Sequence, residues 1–445
     1  MKAPFFRKKN SEDQREDSVG GRIKRFAEGV ADFFDPEPEK EKVLRREDFR
    51  GAGDDYYAVV SSRYKIAERI FAVLCVIFLL FSIFTNISDI TYGNLFYFVR
   101  DFGTAVDIAS TDYETLSYDV YKNQNFTLFR GGIAAVSPSN VSLYTATGRR
   151  TLRSHSSYVT PYSVASKKYL LAYDISGNSF SLYNSFSKVY TENLEYPITD
   201  AAISDEGLFA VVTRSAEFKS VINVYNDKIK LRARISYPQY CFDVSVDGQG
   251  ERMAVLFYEV GDGRGVTTLR VYDISKHKGD EEDAEENTRL IYETAMDGVF
   301  PLKCSFFENG SLCVITDGAV SIIDDKYKTS ESLGYTEEIS AICADKNGAA
   351  VALRSGALND LNKVISFDEE GKLFYNGSVQ SSVEEIGVRG GYIFLKSTQG
   401  ASRFDVSSEK LESYDCQTGT LMVYDESTAI VCGESSAVYI KFQNG

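Results

Sequence analysis

One pattern constrains this chain more than any other: a short β-like run that closes in a bulky residue and a polar one, met eight times after residue 140. The runs are VSLYT (141–145), FSLYN (180–184), INVYN (222–226), LRVYD (269–273), VSIID (320–324), VISFD (364–368), ASRFD (401–405) and AVYIK (437–441). Tyr144, Tyr183, Tyr225, Tyr272, Ile323, Phe367, Phe404 and Tyr439 hold the same place in each, at intervals of 39, 42, 47, 51, 44, 37 and 35 residues. A recurrence near 42 residues is the length of a four-stranded propeller blade, roughly 40–50 residues.

A second element keeps the same period: a strand, an acidic or glycine-bearing turn, then an apolar strand. It is seen in AAISDEGLFAVV (201–212), DVSVDGQGERMAVLF (243–257), CSFFENGSLCVI (304–315), AICADKNGAAVAL (342–353) and IGVRGGYIFL (386–395). Turn residues of this kind make tight hairpins. A single blade cannot bury both of its faces, so a ring of blades supplies the core. The unit divides residues 125–445 into eight blades: 125–161, 162–197, 198–239, 240–299, 300–338, 339–379, 380–415 and 416–445. The last has three strands, TLMVYD, TAIVC and AVYIKF, and TLSYDVY (115–121) is the candidate for the fourth. Pairing the two chain ends would close the ring and remove an exposed edge. The expected fold is therefore all-β, an eight-bladed propeller over 112–445, with a seven-bladed ring and one irregular hairpin pair as the alternative.

Ahead of the repeats lies IFAVLCVIFLLFSIF (70–84), in which serine is the only polar side chain. With its flanks, 66–87, it reaches about 33 Å as a helix, enough for a hydrocarbon core of roughly 30 Å. The polar stretch before it and the lack of a small-x-small site argue against a cleaved signal, and a buried core helix, the other alternative, would be the one helix-like segment in a strand-rich region. Arg63, Lys65 and Arg69 precede the run, whereas only Arg100 follows within twenty residues, so the N-terminus is expected in the cytoplasm and the repeats outside. Residues 88–111 form a linker in which YGNLFYFVRDF (92–102) suits a membrane interface. In the tail, 1–65, Ile23, Phe26, Ala27, Val30, Phe33 and Phe34 share one face of an amphipathic helix over 19–34. Such a helix lies on the bilayer or docks a cytoplasmic partner. The remainder of the tail is expected to be disordered.

The tail, the single apolar run and the eight strand repeats together resemble an uncharacterised family of membrane-anchored propeller proteins of Clostridia-type Gram-positive bacteria. The family implies no activity. The blades are also similar to those of WD40-type and quinoprotein-type propellers, but the chain has no Trp at all. Both the WD dipeptide and the tryptophan docking motif are thus missing, and no cofactor is expected.

The net charge of −15 argues against nucleic acid as a partner. Residues 1–69 hold sixteen Lys/Arg and fifteen Asp/Glu, so the acidity belongs to the repeats. His155 and His277 are the only histidines, fall in different blades and lack a Ser or Cys at motif spacing, which leaves a triad or metal cluster without support. The insert KHKGDEEDAEENTR (276–289) reads as a solvated loop or a weak cation-attracting surface. Cys75 lies in the apolar run, and Cys241, Cys304, Cys313, Cys343, Cys416 and Cys432 sit in the repeats, as free buried thiols or as one or more bridges. Asp205, Asp247, Glu308 and Asp345 occupy turns, where local backbone bonding explains them without catalysis.

With no catalytic constellation, the expected function is a non-enzymatic platform for a protein or envelope polymer. Its contacts should come from the longest loops, which join the second and third strands of their blades. These are RSAEFKS (214–220) with Glu217 and Lys219, EVGDGRGVT (259–267) with Asp262 and Arg264, and RSGALNDLNK (354–363) with Asn359 and Asp360. The alternatives are an enzyme acting on envelope glycan with acids in the channel, and a sensor coupling outer binding to the cytoplasmic tail.

Overall fold

Fully buried second strands are the backbone of the architecture. Gly132–Val136, Leu170–Asp174, Phe209–Thr213, Leu312–Thr316 and Thr428–Cys432 are buried at every residue. They read as continuous apolar runs rather than alternating ones because both of their faces are covered by neighbouring sheets. Fourth strands such as Lys188–Asn193 and Lys410–Asp415 are mostly exposed. In the computed structural model the described residues are 64, 67, 69–78 and 115–442, apart from 186, 262, 276–287 and 356–360.

The strands form eight four-stranded antiparallel sheets, each a consecutive meander except the last. Blades 1 to 7 span 125–155, 161–193, 200–237, 240–297, 301–334, 339–379 and 385–415. Blade 8 takes its first three strands from 420–441 and its fourth from Thr115–Ser117, which pairs with Ser436–Lys441 in the register Thr115↔Val438 to Ser117↔Ser436. The eight-bladed ring with end-to-end closure is therefore observed, and the seven-bladed alternative is excluded.

Each junction between blades carries its own apolar cluster. Between blades 3 and 4, Ala210, Val212, Ile222 and Val224 meet Val244, Met253, Val255 and Phe257. At the closing junction Leu116, Tyr118, Ile430 and Tyr439 meet Phe126, Ile133 and Tyr144. All eight repeat-marking residues, from Tyr144 to Tyr439, lie in the last three positions of a third strand and are buried. In six blades the pairing between third and fourth strands shifts register immediately before that residue. A bulge there adds local twist, which a blade needs to fan outward from a central axis.

Antiparallel order fixes two faces. Turns between first and second strands, and between third and fourth, lie on one, termed here the hairpin face. Loops between second and third strands, and the links between blades, lie on the other, the loop face. The closing strand runs from the hairpin face towards the loop face, so the chain enters the ring at Thr115 on the hairpin face.

In the N-terminal unit, residues 69–78 are helical, and Ile70, Phe71, Leu74, Val76, Ile77 and Phe78 are all exposed. Among the described residues no helix is long and apolar enough to cross a membrane. Arg69 is helical and exposed. Arg63, Lys65, the rest of the apolar run (79–84), the amphipathic segment 19–34 and the aromatic segment 92–102 lie outside the described residues, as do Asp262, His277 with most of the acidic insert, Asn359 and Asp360.

Candidate binding surfaces

On the hairpin face the turn acids gather around the mouth of the central channel. Gly207, with φ +94°, and Gly310, with φ +83°, allow the tight reversals after Asp205 and Glu308, a backbone region that side chains with a Cβ rarely enter. These turns, with those of blades 2, 4 and 6, surround a cavity of about 660 Å³. Lys167 of blade 2 and Lys346 of blade 6 both reach Asp205 of blade 3, at 3.1 and 3.0 Å, so an ion-pair bar spans the mouth. Burial pulls the Asp205 carboxyl upward, but the hydrogen bonds from Lys346 and Lys167 outweigh it and hold the group below its ordinary value. Asp247 accepts from the main-chain N–H groups of Glu251 and Arg252 and from Arg252 Nε. Asp345 accepts from Asn347 N–H, and burial pushes its carboxyl up. Asp247 and Asp345 thus have the local backbone partners expected of turn acids, whereas Asp205 is held by residues of blades 2 and 6.

Deeper in the channel the first strands carry a charged set that sequence reasoning missed: Asp200, Asp243 and Lys303. Asp200 Oδ2 accepts from Val244 N–H at 2.9 Å, and Asp243 Oδ2 accepts from Cys304 N–H at 2.7 Å. Glu385 Oε2 does the same for Leu421 N–H at 2.6 Å. Each carboxylate therefore caps the free edge of the next blade's inner strand, whose N–H groups would otherwise lack partners. Lys303 Nζ donates to Asp243 Oδ1 at 2.8 Å. Burial alone would lower the Lys303 ammonium, but the charges of Asp243 and Asp200 keep it above its ordinary value. Asp200 is raised to about 7, first by burial and then by the charge of Asp243. The signal was available as a polar residue in ITDAA, CFDVS and PLKCS where an inner strand would otherwise be apolar.

The loop face differs in character. The three long loops join second and third strands in blades 3, 4 and 6 and so emerge together on it. Glu217, Lys219 and Arg264 are exposed there. Lys219 Nζ lies 4.6 Å from the centre of the Tyr240 ring, bringing the blade 3 loop against the start of blade 4. Beside it Phe242, Tyr258 and Phe300 form an edge-to-face trio with centroids 4.8, 4.9 and 5.7 Å apart. Tyr240 is 54% exposed, Phe242 41% and the neighbouring Val260 69%. An uncovered apolar group of this kind is a surface that a partner could bury. The described ends of the blade 6 loop, Arg354 and Asn362, belong to a blade two places further round the ring.

All described cysteines are free, with Cys304, Cys313 and Cys432 buried. His155 ends a fourth strand and is exposed. Among the described residues no group of His, Cys, Asp and Glu is placed to hold a metal.

A family model matches residues 109–442, the whole ring and the segment leading into it. The chain belongs to DUF5711, a family of unknown function. The match places the edge-capping carboxylates and the aromatic trio on a DUF5711 propeller. No curated protein matches the chain. Among solved structures, Sqt1 of Saccharomyces cerevisiae superposes with a TM-score of 0.50 at 9% identity, over 76% of this chain and 100% of that one. BamB from Moraxella catarrhalis gives 0.48 at 11%, over 75% and 99%. Hydrazine synthase of Kuenenia stuttgartiensis gives 0.44 at 11%, over 68% and 97%. At these identities the first shows a shared propeller fold and nothing of function.

Proposed function

We propose that this DUF5711 propeller is a non-enzymatic, single-pass membrane protein of the cell surface whose loop face is an interaction platform for a protein or envelope polymer. The observation that carries the platform is the exposed set Tyr240, Phe242, Val260 and Phe300, packed on the half-buried Tyr258. Membrane anchoring through 66–87 is supported by the apolar run and by the uncovered apolar side chains of helical residues 70–78. Arg63, Lys65 and Arg69 favour a cytoplasmic tail and an extracytoplasmic ring. The chain enters the ring at Thr115 on the hairpin face, opposite the loop face.

The test is crosslinking of the full-length protein in its native membranes, beside a variant carrying Phe242→Ser and Phe300→Ser. A species recovered with the natural chain and lost with the variant supports the platform. Identical recovery from both refutes it. The second reading, an enzyme acting on envelope glycan, is favoured by Asp200, a channel carboxyl raised to about 7 beside Asp243. Turnover of glycan fragments that is abolished by Asp200→Asn would establish it. Both oxygens of Asp200 already accept main-chain N–H groups, from Ala201 and Val244, which favours the structural role.

A further inference from the structure

The third strands carry a second repeat marker two residues before the bulky one: Ser142, Ser181, Asn223, Arg270, Ser321, Ile365, Ser402 and Ala437. In blades 2, 5 and 7 the serine meets a hydroxyl on the fourth strand, in Ser181–Thr191 (3.0 Å), Ser321–Ser332 (2.9 Å) and Ser402–Ser413 (2.8 Å). Blade 4 closes the same position with the ion pair Arg270–Glu293 at 3.0 Å. Blade 3 differs from these four. There Arg234 Nε donates to Asn223 Oδ1 at 3.1 Å, which fixes the amide and leaves Nδ2 as the surplus donor. Asn223 is 1% exposed, and its Nδ2 has no hydrogen-bond partner. Buried donors are seldom left unpaired, and such an exception calls for an explanation.

That side chain forms part of the wall of a cavity of about 370 Å³ beneath the 214–219 loop. Arg214 and Arg234 line it as well, and both are exposed. Neither guanidinium makes an ion pair among the described residues. Leu194, Tyr196 and Phe218 supply apolar wall. Two arginine forks and an adjoining apolar surface, with the unpaired Asn223 amide in the wall behind them, are the parts of a carboxylate site, because a guanidinium matches a carboxylate with two parallel hydrogen bonds. Glu195 and Glu217 also line the cavity, so its net field is small. A dianion such as phosphate gains little there, whereas a monoanion is selected by directional donors.

We infer that the blade 3 cavity binds a carboxylate flanked by an apolar group, as presented by an acidic or C-terminal residue of a partner peptide. The inference rests on the loop-face platform and names the chemistry that part of the platform reads.

The absence of Trp from the chain supplies the assay. Indole-3-propionate carries the only indole in the sample, so its fluorescence anisotropy reports binding to the full-length protein in detergent micelles directly. Indole-3-propionamide, equal in shape and uncharged, is the control. The acid is expected to bind saturably and the amide about tenfold more weakly or worse, with inorganic phosphate failing to compete. Asn223→Ser installs the residue that blades 2, 5 and 7 carry, so folding is retained, and binding of the acid should fall about fivefold or more. Arg214→Gln with Arg234→Gln should erase the difference between acid and amide. Equal binding of acid and amide, no saturable binding, displacement by phosphate, or an Asn223→Ser variant that binds as the natural chain does would each overturn the proposal. Partner capture that still depends on Phe242 and Phe300 in that event would leave the platform standing without this pocket.

Discussion

Closure of the ring by Thr115–Ser117 makes Leu116 the residue on which the last blade depends. Its side chain is 2% exposed and lies among Tyr118, Tyr144, Ile430 and Tyr439 at the junction of blades 8 and 1. Leu116→Ala removes buried apolar atoms and leaves a cavity, for which the usual cost is about 2–5 kcal/mol. The flanking tyrosines are large and hold one another, since Tyr118 O–H also donates to Gly433 O, so the site will collapse little. The upper half of that range is expected. For a domain of this size a loss of 1 kcal/mol lowers Tm by about 1–2 °C, giving a fall of roughly 4–10 °C. Hydrogen exchange supplies the local readout. Amides of 420–441 should lose protection first, while those of blades 3 to 5 keep theirs, because opening proceeds in contiguous units. A Tm change below about 1 °C, or a uniform loss of protection around the ring, would refute the reasoning that the ends are joined by this strand.

Other consequences are more local. Asp200 has a folded value of about 7 against an ordinary 3.8, so the folded state binds the extra proton across that interval and stability falls as pH rises from about 4 to 7. The difference in unfolding free energy between the natural chain and Asp200→Asn should therefore slope through that window, and a flat difference would contradict it. Lys303→Met leaves the buried Asp243 carboxylate without its half-exposed cation and should destabilise by about 1–3 kcal/mol in urea unfolding, whereas an unchanged midpoint would contradict the pairing. Cys304 and Cys313 are buried thiols whose ionisation burial opposes, so neither should react with a maleimide until the protein is unfolded, and reductant should leave Tm unchanged.

The ring was legible because its signal is repeated. Tyr144, Tyr183 and their counterparts each lie at or near the end of a third strand, and the register shift beside six of them shows why a bulky residue recurs there: it fills the junction where the blade twists. The closing strand could be read from the missing fourth partner of the last blade. Faces were legible too, since antiparallel strands alternate in direction. What could not be read was which distant segments meet. Phe242, Tyr258 and Phe300 each sit in an ordinary strand or linker pattern, and only the fan of blades 4 and 5 brings their rings together. Asp200, Asp243 and Lys303 were missed for a related reason. A lone polar residue in a short strand reads as surface, whereas here it faces the channel and caps a neighbour's edge. Asn223 becomes informative only against the serines at the same position in other blades, a comparison that needs the strands aligned in register.

The most direct test of the account places a photoreactive p-benzoyl-phenylalanine at Val260 on the loop face or at Glu308 on the hairpin face of the full-length protein in native membranes. The account predicts a discrete crosslinked partner from position 260 and none shared by position 308. Partners captured only from 308, or the same set from both, would contradict the assignment of the loop face as the platform.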